Sequence, residues 1–259
     1  MLRAPTCART PDGHHEEEEQ TMSSLGIIGS GNIGTAIARL AVAADIDVVI
    51  ANSRGPQSLT ALVEELGPRA TAATVEEAAR AGEATVLSIP LTAYSSLPEG
   101  LLRGRTVLDT GNHYPFRDGR IAELDSEEMT TTELAQRLLP GALLVKAFNN
   151  ILAHHIPQLA RPAGAADRSA LPIAGEDPDA KARAAVLIDR LGFGTVDAGT
   201  LAESWRFEPE SDAYTRIYLA DPEVPPEQIM QAPAAPVSAE KLRAALEGSR
   251  RVKVAERTF

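Results

Sequence analysis

An α/β fold with a doubly wound, mainly parallel sheet of about eight strands is predicted by three features of the sequence. Short aliphatic and β-branched runs alternate with alanine-rich amphipathic segments, the pattern left by βαβ units. The first of these runs passes into a helix through a glycine-rich turn, Gly29-Ser30-Gly31-Asn32-Ile33-Gly34. The 259 residues are 44% hydrophobic and 24% charged, enough apolar side chain to bury one large core.

Each element follows in chain order. Residues 1–22 have no helical or strand period, are interrupted by Pro5, Pro11 and Gly13, and carry the acidic run Glu16 to Glu19, so they read as a disordered tail. Leu25 to Ile28 is the first strand and Ile33 to Ala44 the first helix. Asp47 to Ala51 is the second strand, followed by a helix around Ser58 to Leu66 and a short strand at Thr71 to Ala73. Thr74-x-x-Glu77 is a capping box that opens another helix. Ala84 to Ile89 is a strand that Pro90 ends, because proline supplies no ladder donor. Thr106 to Asp109 and Leu143 to Ala147 are two more, with a helix capped by Thr130-x-x-Glu133 between them. Leu171 to Ala174, a helix started by Asp177-Pro178 and running to about Leu191, and the strand Gly194 to Val196 form an appended βαβ unit. The core domain is therefore 23–205. Residues 206–259 are a short proline-rich extension with one helix, Ala239 to Glu247, expected to wrap the surface or exchange with a second subunit.

The balance of charge narrows the partners. With 25 Lys and Arg against 36 Asp and Glu the net charge is −11, which repels nucleic-acid backbones and anionic lipid, so neither nucleic acid nor membrane is expected and the partner is a small-molecule acceptor. No run approaches the roughly 18 to 20 apolar residues of a bilayer span, and the cytoplasm is the expected compartment. The single cysteine, Cys7, excludes an internal disulfide, and the adjacent His14 and His15 read as solvated charge. No metal site is expected.

The glycine turn carries the most specific chemistry. Gly29 suits a positive-φ turn, Gly31 lets the backbone approach a pyrophosphate and Gly34 lets helix and strand pack closely, while the first-turn amides of the helix donate to the anion. This is a Rossmann-type dinucleotide site. Ser53 falls nineteen residues after Gly34, where an acid would bind the ribose 2′-hydroxyl of NAD, and that acid is missing. Asn52, Ser53 and Arg54 instead offer donors and a guanidinium to a 2′-phosphate, so NADP(H) is the expected cofactor.

Ligands in such sheets lie beyond the carboxyl ends of the strands, which makes Ile89, Pro90, Asn112, Ala147 and Asn149 the candidates for the nicotinamide end. Pro90 is expected to cover the adenosine or ribose region, and the two asparagines suit a carboxamide or ribose. His113, Tyr114 and His155 are the candidate proton donors, each with a plain structural role as its alternative. None of the four tyrosines is followed by lysine four positions later, which removes the Tyr/Lys acid pair of short-chain dehydrogenases. Reduction of a ketone or imine wants a placed proton donor, whereas transfer to a flavin-like ring needs mainly close coplanar stacking, so a tricyclic acceptor is easier to accommodate.

Several segments carry a family likeness: Gly26 to Gly34, Asn52-Ser53-Arg54, Val107 to Asn112, Val145-Lys146-Ala147-Phe148-Asn149-Asn150 and Leu171-Pro172-Ile173-Ala174-Gly175-Glu176-Asp177. Over about Leu25 to Trp205 the chain resembles NADP oxidoreductases dependent on the deazaflavin coenzyme F-420, and is similar to the cytosolic reductase domain of six-transmembrane metalloreductases. The resemblance implies NADP(H) held by Gly29, Ser30, Asn32, Ile33, Ser53 and Arg54, and hydride exchange with a stacked deazaflavin (F-420), FMN or FAD without a dedicated acid or base. Two departures bear on the acceptor pocket: the long aromatic loop His113 to Gly119 and the run of chain after Trp205. The alternatives are an NADPH-dependent reductase of a small ketone or imine, using Tyr114, His113 or His155, and a non-catalytic NADPH sensor. An acceptor pocket closed by a short C-terminal segment also suggests a homodimer.

Overall fold

The structure is a computed structural model that describes residues 23–257; the expected tail 1–22, with Cys7, His14 and His15, lies outside the described residues. The expected eight strands are β1 (Ser24–Ile28), β2 (Asp47–Ala51), β3 (Ala70–Ala72), β4 (Ala84–Leu87), β5 (Thr106–Asp109), β6 (Leu143–Lys146), β7 (Ala170–Gly175) and β8 (Gly194–Asp197). They form one sheet in the order β3-β2-β1-β4-β5-β6-β7-β8. The first six run parallel, β7 is antiparallel to β6, and β8 is parallel to β7. This is the mainly parallel, doubly wound sheet the sequence predicts. Chain direction across the sheet reverses between β1 and β4, which opens a crevice above their carboxyl ends.

The reversed strand has a consequence for the site. β7 meets β6 through Val145–Gly175 and Lys146–Ala174, so the start of β7 runs on past the carboxyl end of β6. The β7–β8 unit therefore stands up beside the crevice and gives the C-terminal chain something to pack on.

The helices are α1 (Asn32–Ala43), α2 (Thr60–Leu66), α3 (Val75–Arg80), α4 (Pro115–Asp118), α5 (Ala122–Asp125), α6 (Thr131–Leu138), α7 (His155–Leu159), α8 (Pro178–Arg190) and α9 (Ala239–Gly248). Both capping boxes form. At α3 the Glu77 amide donates to the Thr74 hydroxyl at 3.2 Å and the Thr74 amide to the Glu77 carboxylate at 2.8 Å. Thr130 and Glu133 do the same at α6. Asp177 caps α8 by accepting from the Ala180 amide at 2.7 Å, with Pro178 as its first residue. The short α4, α5 and α7 were not expected, because one turn of helix has no hydrophobic period to read. The fourth strand ends at Leu87, two residues before the predicted end at Ile89.

Alternate strand residues feed opposite faces of the sheet. Leu25, Ile27, Leu108 and Val145 pack with α1 and α8, and Ile28, Val107 and Leu144 pack with Tyr94, Leu124 and α6. The chain after 205 joins the first of these cores: Ala213, Ile217, Tyr218, Val237, Leu242 and Leu246 share one cluster with β1. The Tyr218 hydroxyl donates to the Ala170 carbonyl at 2.9 Å, and the Ala170 amide donates to the Val237 carbonyl at 2.8 Å. The extension thus wraps its own chain and is stitched to the projecting start of β7. No helix among the described residues is long and apolar enough to cross a membrane.

Candidate active site

Loops at the switch point bound a two-part crevice. The first part, a cavity of about 610 Å³, is lined by Gly29, Ser30, Gly31, Asn52, Ser53, Arg54, Thr74, Ile89 and Pro90. The second, of about 360 Å³, is lined by Asn32, Ile33, Asn112, Tyr114, Arg117, Asn149, Tyr214, Thr215 and Met230. Gly31, Ser88, Ile89 and Pro90 border both, so the two adjoin.

The glycine turn has the geometry a diphosphate needs. Gly29 sits at φ 116°, and a Cβ at Gly34 would lie 2.0 Å from the Gly29 carbonyl oxygen. A Cβ at Gly31 would meet nothing within 4 Å, which leaves the backbone open on the crevice side. Gly31 is also the N-cap of α1, where no side chain caps the helix, so its first amides are left for an anion. These residues fit the diphosphate of a dinucleotide.

At the tip of β2, Arg54 is exposed and borders the first cavity, and among the described residues no ion pair or side-chain hydrogen bond engages its guanidinium. Ser53 is exposed beside it. Asn52 has a different task from the one expected. Its Nδ2 donates to the Ser30 hydroxyl at 3.0 Å, and its Oδ1 accepts from the Arg54 amide at 2.9 Å and the Ser58 hydroxyl at 3.1 Å. It ties the arginine loop to the glycine turn, and leaves Ser53 and Arg54 as the exposed groups that could hold a 2′-phosphate.

The loops after β5 and β6, where the sequence places the candidates for the nicotinamide end, build one wall of the second cavity. Asn112 Nδ2 donates to the Asn149 carbonyl at 2.7 Å, and Asn149 Nδ2 donates to Asn112 Oδ1 at 3.2 Å and to the Phe207 carbonyl at 2.8 Å. Asn149 borders the second cavity but is buried, and its Oδ1 accepts no hydrogen bond within the protein. Phe148 adopts φ 58°, a left-handed conformation that costs a β-carbon-bearing residue about 1 to 2 kcal/mol. Its ring is buried edge-on against Phe193, which holds the turn and presents Asn149. Beneath the β5 loop, buried Lys146 donates to the Gly111 carbonyl at 2.8 Å and lies 3.9 Å from Asp109, which accepts from the Gly111 amide and from the Tyr94 hydroxyl. A buried ion pair therefore braces the backbone that carries Asn112.

The three candidate donors separate clearly. Tyr114 lines the second cavity, whereas His113 and His155 are fully buried and do not line it. Ala147 is likewise buried behind the wall. Both ring nitrogens of His113 lack hydrogen-bond partners, and His155 Nε2 bonds the Ala232 carbonyl at 2.8 Å. Burial pushes both imidazoles below their ordinary value of 6.5, outweighing Asp118 beside His113 and the Ala232 carbonyl at His155. The unfolded chain then takes up protons near 6.5 while the folded chain does so only at lower pH, so their stabilising share is full above 6.5 and is lost below it. Urea unfolding followed from neutral pH down to about 5.5 is expected to show a falling midpoint that His113→Gln flattens; a midpoint constant over that range contradicts the assignment.

Sequence reasoning missed Arg117, Tyr214, Thr215 and Met230. The last three come from the extension, whose proline-rich composition announces irregular chain without saying where it lands. Among the described residues no group of His, Cys, Asp and Glu is placed to hold a metal ion.

Comparison with known proteins agrees with this geometry. Residues 24–113 match the family model described as NADP oxidoreductase, coenzyme F420-dependent. Metalloreductase STEAP3 of Rattus norvegicus is 30% identical over 201 residues, covering 76% of this chain, and the chain spans 38% of that protein's length. A hypothetical protein of Sinorhizobium meliloti with a crystal structure is 32% identical, with a TM-score of 0.63 over 74% of this chain and 93% of the other. A protein of Arthrobacter sp. FB24, described as a candidate F420-dependent NADP-reductase, shares the fold at 23% identity and a TM-score of 0.59, over 71% of this chain and 87% of that one. With its glycine turn at the switch point and these relatives, the chain belongs to the NADP oxidoreductase family described as coenzyme F420-dependent.

Proposed function

We propose that this protein passes hydride between NADPH and a deazaflavin or flavin. The observation that carries the reading is the adjacency of the two cavities: a half bordered by the glycine turn and Arg54 shares Gly31, Ser88, Ile89 and Pro90 with a second half flanked by Ile33, Ile151, Leu152 and Met230. The first half suits the adenosine and diphosphate moieties of NADP(H), which brings the nicotinamide to the second half, where an apolar wall favours a stacked ring. NADPH supplies the hydride; this chain's residues hold it, orient the carboxamide through Asn149 and leave one face of the crevice open to the acceptor. The description of the matching family model supports the deazaflavin as acceptor.

Reduction of a small ketone or imine is the second reading, favoured by the hydroxyls of Tyr114 and Tyr214 on the cavity wall. Stopped-flow mixing of the protein and NADPH with 8-hydroxy-5-deazaflavin, FMN or FAD is expected to bleach one of the three. No absorbance change with any of them, alongside turnover of a ketone or imine, transfers the proposal to the second reading.

A further inference from the structure

We propose that Tyr114 is the proton donor of the second cavity, and that Tyr214 and Arg117 stabilise the phenolate it leaves. The proposal rests on NADPH occupying the crevice, but not on which acceptor meets it.

Three groups converge on Tyr114. The hydroxyl of Tyr214, 100 residues away in the chain, is hydrogen-bonded to its own. Asn112 Nδ2, which can only donate, lies 3.4 Å from each of the two hydroxyls. The Arg117 guanidinium sits 4.7 Å above the Tyr114 ring. Arg117 is itself held by Asp118 and by a 3.1 Å bond to the Asn112 carbonyl, and Asp118 accepts from the Tyr114 amide at 2.9 Å. The cation is thus pinned over the ring whose charge it would balance.

The hydrogen bond between the two hydroxyls can serve the transfer. Either hydroxyl can donate in the Tyr114–Tyr214 bond; when Tyr114 gives its proton to a ligand in the cavity it borders, the Tyr214 hydroxyl is the one that donates to the phenolate left behind. Burial raises both phenols above their ordinary value. Tyr214 is pushed further, whereas Tyr214, Arg117, Asn112 and Arg257 each pull Tyr114 back down. Both therefore carry protons at neutral pH, and of the two Tyr114 is held the less high and is the one that also lies under the Arg117 guanidinium.

The step balances. Hydride leaves C4 of the dihydronicotinamide with its electron pair and forms a C–H bond on the acceptor. The acceptor's π electrons move to a conjugated nitrogen or oxygen, which takes the Tyr114 proton as the phenolic O–H breaks. The nicotinamide is oxidised, the acceptor is reduced, and the phenolate regains a proton from crevice water. The substrate class follows: a conjugated acceptor that becomes protonated on a heteroatom when reduced, which includes a deazaflavin ring, a carbonyl or an imine. A one-electron ferric acceptor has no use for such a group.

The first test needs no turnover. In the resting protein, alkaline titration read by tyrosinate ultraviolet absorbance is expected to show Tyr114 as the first of the four tyrosines to ionise, since Tyr94, Tyr214 and Tyr218 are all held higher. Tyr114→Phe removes that first transition, and Arg117→Gln and Tyr214→Phe move it to higher pH. The second test is single-turnover hydride transfer to whichever acceptor the wild type reduces. Tyr114→Phe is expected to slow it by roughly 10² to 10⁴ with NADPH affinity unchanged, and Tyr214→Phe by a smaller factor. A first transition that survives in Tyr114→Phe, or wild-type transfer rates in that variant while NADPH still binds, overturns the proposal and leaves the proposed function standing. Absence of NADPH binding in the wild type removes both.

Discussion

Replacing Glu208 with alanine is expected to destabilise the fold by roughly 3 to 5 kcal/mol, the cost of stranding a buried guanidinium. The carboxylate and Arg257 are 2% and 3% exposed and meet at 2.9 Å. The other carboxylate oxygen accepts from the Thr131 amide at 2.8 Å, at the first turn of α6, so the same group caps a helix and pairs a charge. Arg257 also donates to the His113 carbonyl at 3.3 Å, one residue from Tyr114. Losing the glutamate therefore frees the end of the chain and the loop that carries the proposed donor. For a domain of this size the melting midpoint should fall by on the order of 10 °C. A fall of about 2 °C or less would mean that water reaches Arg257 in the folded protein.

The same residue sets an acid limit. Burial alone would raise the Glu208 carboxyl, but Lys146, Arg257 and the Thr131 amide together hold it below its ordinary value of 4.5. Its contribution is fully present above 4.5 and is lost as pH falls through the lower folded value. Glu208→Gln should be less stable than wild type at neutral pH and approach it in acid. A constant gap across that range would remove the electrostatic explanation.

Replacing Arg54 with alanine is expected to weaken NADPH binding by roughly 10- to 100-fold while leaving NADH nearly unaffected. That factor corresponds to the 1.5 to 3 kcal/mol typical of a hydrogen bond to a charged group. Arg54 is the cation at the tip of β2 that borders the adenosine half, and no acid stands beside it on that loop to favour a bare ribose. Ser53→Asp should act in the same direction by placing a carboxylate against the 2′-phosphate. Calorimetry with both nucleotides checks it. Equal affinities in the wild type, or unchanged discrimination in Arg54→Ala, would detach the arginine from cofactor choice.

The features legible in the sequence are those written in adjacent residues. Strands announce themselves by β-branched runs, the Thr74 and Thr130 caps by an acid three residues on, and the phosphate turn by glycines whose roles depend only on backbone geometry and on one neighbouring strand. Even Arg54 could be placed, because a βαβ unit has a nearly constant length and the tip of its second strand always lies beside the turn of its first. One-turn helices such as α4 and α7 escaped because they contain too few residues to show a period.

What the sequence by itself determined is thus the sheet, its glycine turn and the half of the crevice that the turn borders with Arg54. Only the tertiary structure decided the rest: that β7 runs backward past β6, that His113 and His155 are buried behind the wall, and that Glu208 and Arg257 close on each other. It also decided that Tyr214 reaches Tyr114 across 100 residues. The physical reason is range. Local propensity is set by the few residues that share a turn or strand, whereas these contacts arise when a proline-rich segment with little preference of its own follows the shape of the core it covers.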